Sequence, residues 1–167
     1  VRNGAVAFSS AQTGNYEIFV MNADGSVDGQ LTRNPASDRD PTWSPDGNTL
    51  AFVSNRDENW EIYAIAANGT GLTRLTRNDT LEGSPRYSPD GQRIAFWSFR
   101  DGGADIFVMD AYGTGEVNLT NSPGWDFNPT WSPDGASIAF QSERDGNSEV
   151  YVVDVSTGEQ TRLTDNQ

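Results

Sequence analysis

The chain has 167 residues, of which 35% are hydrophobic and 11% aromatic, enough for one domain with a core. Its 24 acidic residues against 11 arginines give a net charge of −13, which disfavours nucleic acid and anionic lipid as partners. Cysteine, histidine and lysine are absent, which excludes disulfides, ordinary zinc sites, Ser-His-Asp triads and Schiff-base lysines.

The ends and the apolar runs of the chain give two expectations. No apolar run approaches the roughly 20 residues of a membrane-spanning helix, so we expect no membrane insertion. The sequence begins VRNGAVAF, without an initiator methionine or a signal peptide. We therefore expect it to be processed or cut from something longer.

The sequence repeats with a period of 44 residues. The motif Ser-Pro-Asp-Gly places its aspartate at Asp46, Asp90 and Asp134, and the pair Leu-Thr closes each unit at Leu31, Leu75, Leu119 and Leu163. No marker is displaced by an insertion, so the chain is predicted to be an array of one structural unit. The units are about 1–34 (incomplete), 35–78, 79–122 and 123–167, in a single domain or segment spanning 1–167.

Each unit is predicted to contain four short strands. In the unit 35–78 these are, in chain order, PTWS, TLAFVS, EIYAIA and TRLTR, with Gly, Pro, Asn and Asp between them. Several strands are apolar on both faces, which predicts sheets packed on both sides. The fold class is therefore all-β, a β-propeller of four-stranded antiparallel blades, with about four blades in this chain.

The Ser-Pro-Asp-Gly motif is interpreted as a structural turn. Pro45 presets φ for the second position of a type I turn, and Asp46 and Gly47 suit the third and fourth. It thus predicts the hairpin between the first and second strands of a blade. The Arg-Asp pairs, as at Arg56-Asp57, are predicted to form a solvated hairpin between the second and third strands.

The unit NPTWSPDGASIAFQSERDGNSEVYVVD, with its closing TRLT, resembles the repeat of TolB-type propellers, the Pro-Asp relatives of the WD-repeat. The resemblance covers three complete units and most of a fourth; the N-terminal unit lacks the first strand and the Arg-Asp pair. It implies a periplasmic or extracellular location. Propellers of this kind occur as the protein-binding domain of the Tol system and as gating domains of prolyl-oligopeptidase-like peptidases, so the fold alone does not decide the function.

An acidic residue stands three positions before each strand-opening proline: Asp38, Glu82 and Asp126. We place these on the loop between blades, at the mouth of the central channel. In one interpretation each carboxylate accepts backbone N–H bonds and fixes the loop. In the other they form an acidic ring that binds a basic peptide or calcium, with Asp40, Ser84 and Asn128 adding oxygen ligands.

Trp125, in PGWDFNP, has no aromatic counterpart at Leu81 or Ser37, and it is the candidate contact anchor. No catalytic or phosphate-binding motif is present. We therefore expect a non-catalytic module, without an obligatory cofactor, that binds another protein through its acidic loop face. The alternative is a propeller domain or fragment of a carbohydrate-active or prolyl-oligopeptidase-like enzyme. Four blades are few for a ring, so we also expect a homo-oligomer or part of a longer propeller.

Overall fold

A computed structural model describes residues 4–166, which form fifteen strands and no helix. Those residues accordingly contain no helix long and apolar enough to cross a membrane. The strands form four antiparallel sheets, each a blade with its strands in chain order. The predicted all-β architecture of four-stranded blades is confirmed, and the first blade has three strands among the described residues.

The strand bounds show the 44-residue period directly. The first blade contains β1 (Val6–Ser10), β2 (Glu17–Met21) and β3 (Val27–Gln30), and the second contains β4 (Asp38–Trp43), β5 (Thr49–Asp57), β6 (Asn59–Ala66) and β7 (Thr73–Arg74). The third contains β8 (Glu82–Tyr87), β9 (Arg93–Ser98), β10 (Asp105–Asp110) and β11 (Val117–Asn118), and the fourth contains β12 (Asp126–Trp131), β13 (Ser137–Ser142), β14 (Glu149–Asp154) and β15 (Gln160–Arg162).

The Ser-Pro-Asp-Gly turns join the first and second strands of each complete blade. Gly47 N donates to Ser44 O at 2.9 Å, with Gly47 at a φ of 69° that favours glycine. Ser44 Oγ donates to Asp46 at 2.6 Å, so the serine and the aspartate lock the turn from within. We call the end of the blades that carries these turns the turn face. The opposite end, with the hairpins between second and third strands and the connections between blades, is the loop face.

The Leu-Thr pair closes the outer edge of each blade. Leu75 is buried, and its backbone N donates to Ile62 O at 2.8 Å. Thr76 Oγ1 then accepts from Ile62 N at 2.9 Å, so the threonine side chain continues the ladder where the backbone leaves it. The outer strands are only two to four residues long for this reason, shorter than the predicted TRLTR.

Three apolar clusters lie between consecutive blades. One joins the first and second blades, another the second and third, and the last the third and fourth. Phe96 and Phe107, for example, stack with centroids 5.8 Å apart on the face of the third blade that meets the second. Full burial of one such side chain stabilises the fold by roughly 1.5–3 kcal/mol. The packing on both faces is therefore what holds the blades in their order.

No cluster among residues 4–166 joins the fourth blade to the first. Leu163 stands where Leu75 and Leu119 pack between blades, yet 58% of its surface is exposed. Val150 on the fourth blade is 40% exposed and Val6 on the first 45%. Both terminal blades thus present an uncovered apolar face.

Candidate functional site: the loop face

The three acidic residues predicted to border the channel begin the inner strands of their blades. Asp38, Glu82 and Asp126 are the first residues of β4, β8 and β12, rather than loop residues, and all three are buried. Their equal spacing in the repeat places them at the loop-face end of three consecutive blades.

Each of these carboxylates is paired with the arginine of the following Arg-Asp motif. The pairs are Asp38–Arg56, Glu82–Arg100 and Asp126–Arg144. Arg56 Nη2 lies 3.0 Å from both carboxylate oxygens of Asp38, and Arg144 Nη2 lies 2.9 Å from Asp126 Oδ2. The hairpins are therefore not simply solvated turns, because their arginines reach back to the buried start of the inner strand.

The guanidinium groups of these arginines also lie over aromatic rings. The guanidinium carbon of Arg56 lies 4.7 Å from the centroid of Tyr63, and that of Arg144 lies 4.4 Å from the centroid of Tyr151. A guanidinium stacked on a ring and bonded to a carboxylate is held in one place, which suits a structural ion pair. The acids thus face their arginines within each blade.

Glu82 differs from its two counterparts. Burial raises the pKa of its carboxyl to about 7, and the nearby charge of Glu61 raises it further, while Arg100 and hydrogen bonds from Thr76 and Asn78 act in the opposite direction. Glu82 Oε2 and Glu61 Oε2 are both buried and lack a hydrogen-bond partner among residues 4–166. The raised pKa of Glu82 favours retention of its proton up to near neutral pH.

The calcium hypothesis stays a prediction. Within the part of the chain that the structure describes, no group of three acidic side chains is arranged to hold a metal ion. Each acid of the predicted ring is engaged by the arginine of its own blade.

The residues before the strand-opening prolines adopt a left-handed backbone. Asp40, Ser84 and Asn128 have φ values of 52°, 49° and 54° at a register shift in each inner strand. Such bulges re-aim a side chain out of the regular pleat. Ser84 Oγ lies 3.4 Å from Asn128 Oδ1, so these residues meet from adjacent blades. Asp40 and Asn128 are exposed, whereas Ser84 is buried.

Trp125 belongs to a four-membered aromatic cluster at the loop face of the third and fourth blades. The cluster consists of Trp97, Phe99, Trp125 and Phe127. Ring centroids lie 5.9 Å apart for Trp125 and Phe99, 6.3 Å for Trp125 and Phe127, and 5.5 Å for Trp97 and Phe127, with near-perpendicular ring planes. Such edge-to-face contacts are favourable beyond the area they bury. Trp125 remains 51% exposed on a base of less exposed rings.

Two glycines lie against this cluster, and Gly83 leaves the space that the Trp97 ring occupies. Gly83 stands beside the Trp97 ring, and Gly103 lies against Trp125, whose Cδ1 is 3.7 Å from where its Cβ would be. The second blade has Asn59 at the position of Gly103, and Asn59 Nδ2 clamps the inter-blade loop through Asn78 O and Thr80 O, both at 2.8 Å. The third blade lacks that clamp, and its loop carries Trp125 instead.

Three members of the cluster escaped the sequence analysis. Phe99 replaces the Asn55 of the second blade, Phe127 replaces Arg39, and Trp97 replaces Val53. Each departs from the repeat at a position where other units carry a residue of different chemistry. Those departures, considered together with Trp125, are the sequence feature that indicates an aromatic cluster.

The four successive antiparallel blades define a β-propeller built from repeats. Its loop face carries the aromatic cluster at the third and fourth blades. The sequence profile of the TolB beta propeller domain matches residues 3–82 and 78–167. The chain therefore belongs to the TolB β-propeller family.

Solved structures agree with this assignment. A TolB-type protein from Agrobacterium tumefaciens is 27% identical with a TM-score of 0.86, over 96% of this chain and 61% of that one. TolB from Acinetobacter baumannii is 28% identical with a TM-score of 0.82, over 96% of this chain and 40% of that one. A puromycin-hydrolyzing peptidase from Mycobacterium tuberculosis shares the fold at 18% identity, with a TM-score of 0.75 over 95% of this chain and 26% of that one. No curated protein matches in sequence.

Proposed function

We propose that this chain is a non-catalytic protein-binding module whose partner docks on the loop face. The aromatic cluster supplies the anchor, and the exposed bulge residues Asp40 and Asn128 supply polar contacts from the inner strands of the second and fourth blades. The observation that carries the proposal is Trp125, which is half exposed while its neighbours Phe99 and Phe127 hold it from beneath. Aromatic side chains in such settings are enriched among the residues that dominate binding energy.

The charge of the chain favours a partner with a basic contact surface. The loop-face acids that begin the inner strands are each paired with arginine, so the net charge of −13 resides largely on other, exposed carboxylates. A field of that sign accelerates association with basic surfaces and repels polyanions. Family membership supports a periplasmic or extracellular location for the encounter.

Photo-crosslinking tests the docking surface. A photoreactive phenylalanine at position 125 should capture one protein from an extract of the source organism, and the same residue at Val27, an exposed position on β3, should not. Trp125→Ala should weaken binding of the captured protein about tenfold or more, as loss of one anchor worth over 1.4 kcal/mol requires. Leu81→Ala, the matched change in the preceding blade, should have little effect. Equal capture from positions 125 and 27 would contradict the proposal.

The alternative is an enzyme-associated propeller, and its residues can be compared with what catalysis needs. The cavity of about 680 Å³ at the turn face is lined by two carboxylates, Asp46 and Asp90. Hydrogen bonds, from Ser44 foremost for Asp46 and from Ser88 for Asp90, lower the pKa of each. Glycoside hydrolysis by a carboxyl pair requires one member to hold a proton. The lowered pKa values of Asp46 and Asp90 therefore leave this cavity without such a pair.

The uncovered terminal blades support a second form of protein binding, to another copy of the chain. Leu163 and Val150 on the fourth blade match positions that are buried between blades elsewhere, and Val6 is exposed on the face of the first blade that would receive them. We propose that these faces associate. The chain spans 61% and 40% of the two TolB structures, so further blades of a longer protein are the other source of cover.

A further inference from the structure

A cavity of about 680 Å³ lies between the second and third blades at the turn face, remote from the loop-face cluster. Its floor is apolar, with Ile65 and Leu75 buried at its base. Tyr87 and the 85%-exposed Tyr112 contribute aromatic walls.

The next interface contains the same site in a filled form. Between the third and fourth blades, the Arg93 guanidinium carbon lies 4.7 Å from the centroid of Trp131. Arg93 Nη2 donates to the carbonyl of Gly135 at 3.1 Å. Trp131 Nε1 in turn donates to Arg86 O at 3.0 Å, which fixes the ring. The guanidinium thus meets an aromatic face and a turn carbonyl, which form its seat. The serine hydrogen bond within the preceding turn, and after it the charge of Arg93, lower the pKa of Asp90.

The cavity has these elements without the arginine. One period earlier, Trp131 corresponds to Tyr87 and Gly135 corresponds to Gly91, both of which line the cavity. The position of Arg93 is held by Thr49, which is too short to cross the space. The substitution of one arginine by threonine therefore leaves an empty seat between the second and third blades.

The charge around the empty seat fits the missing group. Asp46 and Asp90 line the cavity, and no arginine does. Planar guanidinium groups combine stacking on rings with hydrogen bonds to oxygen acceptors, as Arg93 does next door. An aliphatic stem beneath the guanidinium would cover Ile65 and Leu75, because long basic side chains pack their methylenes on apolar surface.

We propose that this cavity receives a guanidinium group from outside the chain, namely an arginine side chain of a partner protein. The site is independent of the loop face, and the partner need not be the same. We expect the partner's guanidinium to make the contacts that Arg93 makes between the third and fourth blades, namely stacking on a ring and a hydrogen bond to a turn carbonyl. The partner's arginine would enter from the solvent, whereas Arg93 belongs to strand β9.

The test uses the intact chain and N-acetyl-arginine methylamide as the probe, followed by NMR on labelled protein. Saturable shifts are expected at Thr49, Tyr87 and Gly91. N-acetyl-citrulline methylamide, which has the same shape without the charge, should bind at least about tenfold more weakly, since an ionic hydrogen-bonded contact is worth over 1.4 kcal/mol.

Two variants make the test specific to the seat. Thr49→Arg should fill the cavity as Arg93 fills its own and abolish probe binding, whereas Ser137→Arg adds the same charge at the equivalent position of the fourth blade and should leave binding intact. Unchanged binding in Thr49→Arg would overturn the proposal.

A further variant covers the case in which Thr49→Arg fails to fold. Asp46→Asn with Asp90→Asn keeps the hydrogen bonds that Ser44 and Ser88 donate to Oδ1 in each turn, and it should weaken binding of the probe several-fold. If the probe instead binds this double variant as tightly as the unchanged chain, or shifts only loop-face residues, the seat is not a guanidinium site.

Discussion

The indole ring of Trp97 occupies the space in which a side chain at position 83 would begin. A Cβ built on Gly83 would lie 2.2 Å from Trp97 Cζ2 and 2.4 Å from Cε2, closer than real contacts allow. Gly83 has no unusual backbone conformation, so its role is steric rather than conformational. The glycine on β8 is thus a condition for the aromatic cluster on the loop face.

Gly83→Ala should destabilise the fold by about 1–3 kcal/mol, because the ring must move from a packed position. The near-ultraviolet circular dichroism of the tryptophans should weaken in parallel. Urea unfolding provides the measurement. In a chain that already carries Trp97→Val, the residue found at Val53 in the second blade, Gly83→Ala should cost much less than it does in the unchanged chain.

Gly103→Ala is the matched control for this prediction. A Cβ at Gly103 would meet its neighbours at 3.5 Å and 3.7 Å, which is ordinary contact. The change should therefore have a much smaller effect than Gly83→Ala. Equal losses from the two substitutions would show that the Trp97 contact is not the cause.

Arg56→Leu should cost about 3–5 kcal/mol, because it leaves the fully buried carboxylate of Asp38 without its counter-charge. Chemical denaturation at neutral pH measures the loss. Arg77→Leu, at an exposed arginine, should change stability by no more than about 0.5 kcal/mol. A small effect at Arg56 would mean that the ion pair with Asp38 contributes little to stability.

Glu82 should give the fold an unusual pH dependence. Its pKa rises from 4.5 to about 7 on folding, so between these values the folded state holds a proton that the unfolded state has released. The Glu82 contribution to the free energy of unfolding should therefore fall as pH rises through this window. Carboxyls with lowered pKa values, such as Asp154, act in the opposite direction at lower pH.

Carbon-detected NMR titration of the Glu82 carboxyl checks this directly, with a midpoint expected near pH 7. In Arg100→Gln the midpoint should move upward, because the charge of Arg100 lowers this pKa. Arg144→Gln, the same change beside Asp126, should leave it in place. Comparing the pH dependence of unfolding for Glu82→Gln isolates the contribution of this one group.

Leu163→Glu should prevent association of the terminal blades. Native mass measurement of the unchanged chain should show species heavier than 18.2 kDa that grow with concentration, and the variant should remain at the mass of one chain. Val117→Glu places the same charge at another exposed apolar residue and should not alter the mass. A single-chain mass for the unchanged protein at all concentrations would refute self-association.

The repeat made most of the fold predictable. Ser-Pro-Asp-Gly places the first hairpin, and the apolar runs place the second and third strands, because turn chemistry and alternation act locally. The sequence predicts that the inner strand begins at Pro41, three residues later than Asp38, at which β4 begins. Asp38 looks like a loop residue when considered alone, since its inclusion in β4 comes from backbone pairing with Ser54 on the neighbouring strand.

The loop face was only partly predictable for a related reason. Trp125 stands out as an aromatic residue in a polar loop, but Trp97 and Phe127 resemble ordinary strand residues, and only the packing of adjacent blades brings them together. The arginine-acid pairs did carry a signal. The acid and the arginine recur together at a fixed separation in three units, which predicts a contact within the unit.

Among residues 4–166, each ion pair joins two residues of the same unit, whereas the apolar clusters join residues of different units. Duplication or deletion of one 44-residue unit would consequently carry each carboxylate of these pairs together with its arginine. Only one apolar cluster between blades would be gained or lost. Such a gene can lengthen or shorten by copying whole units, without new compensating charges arising elsewhere.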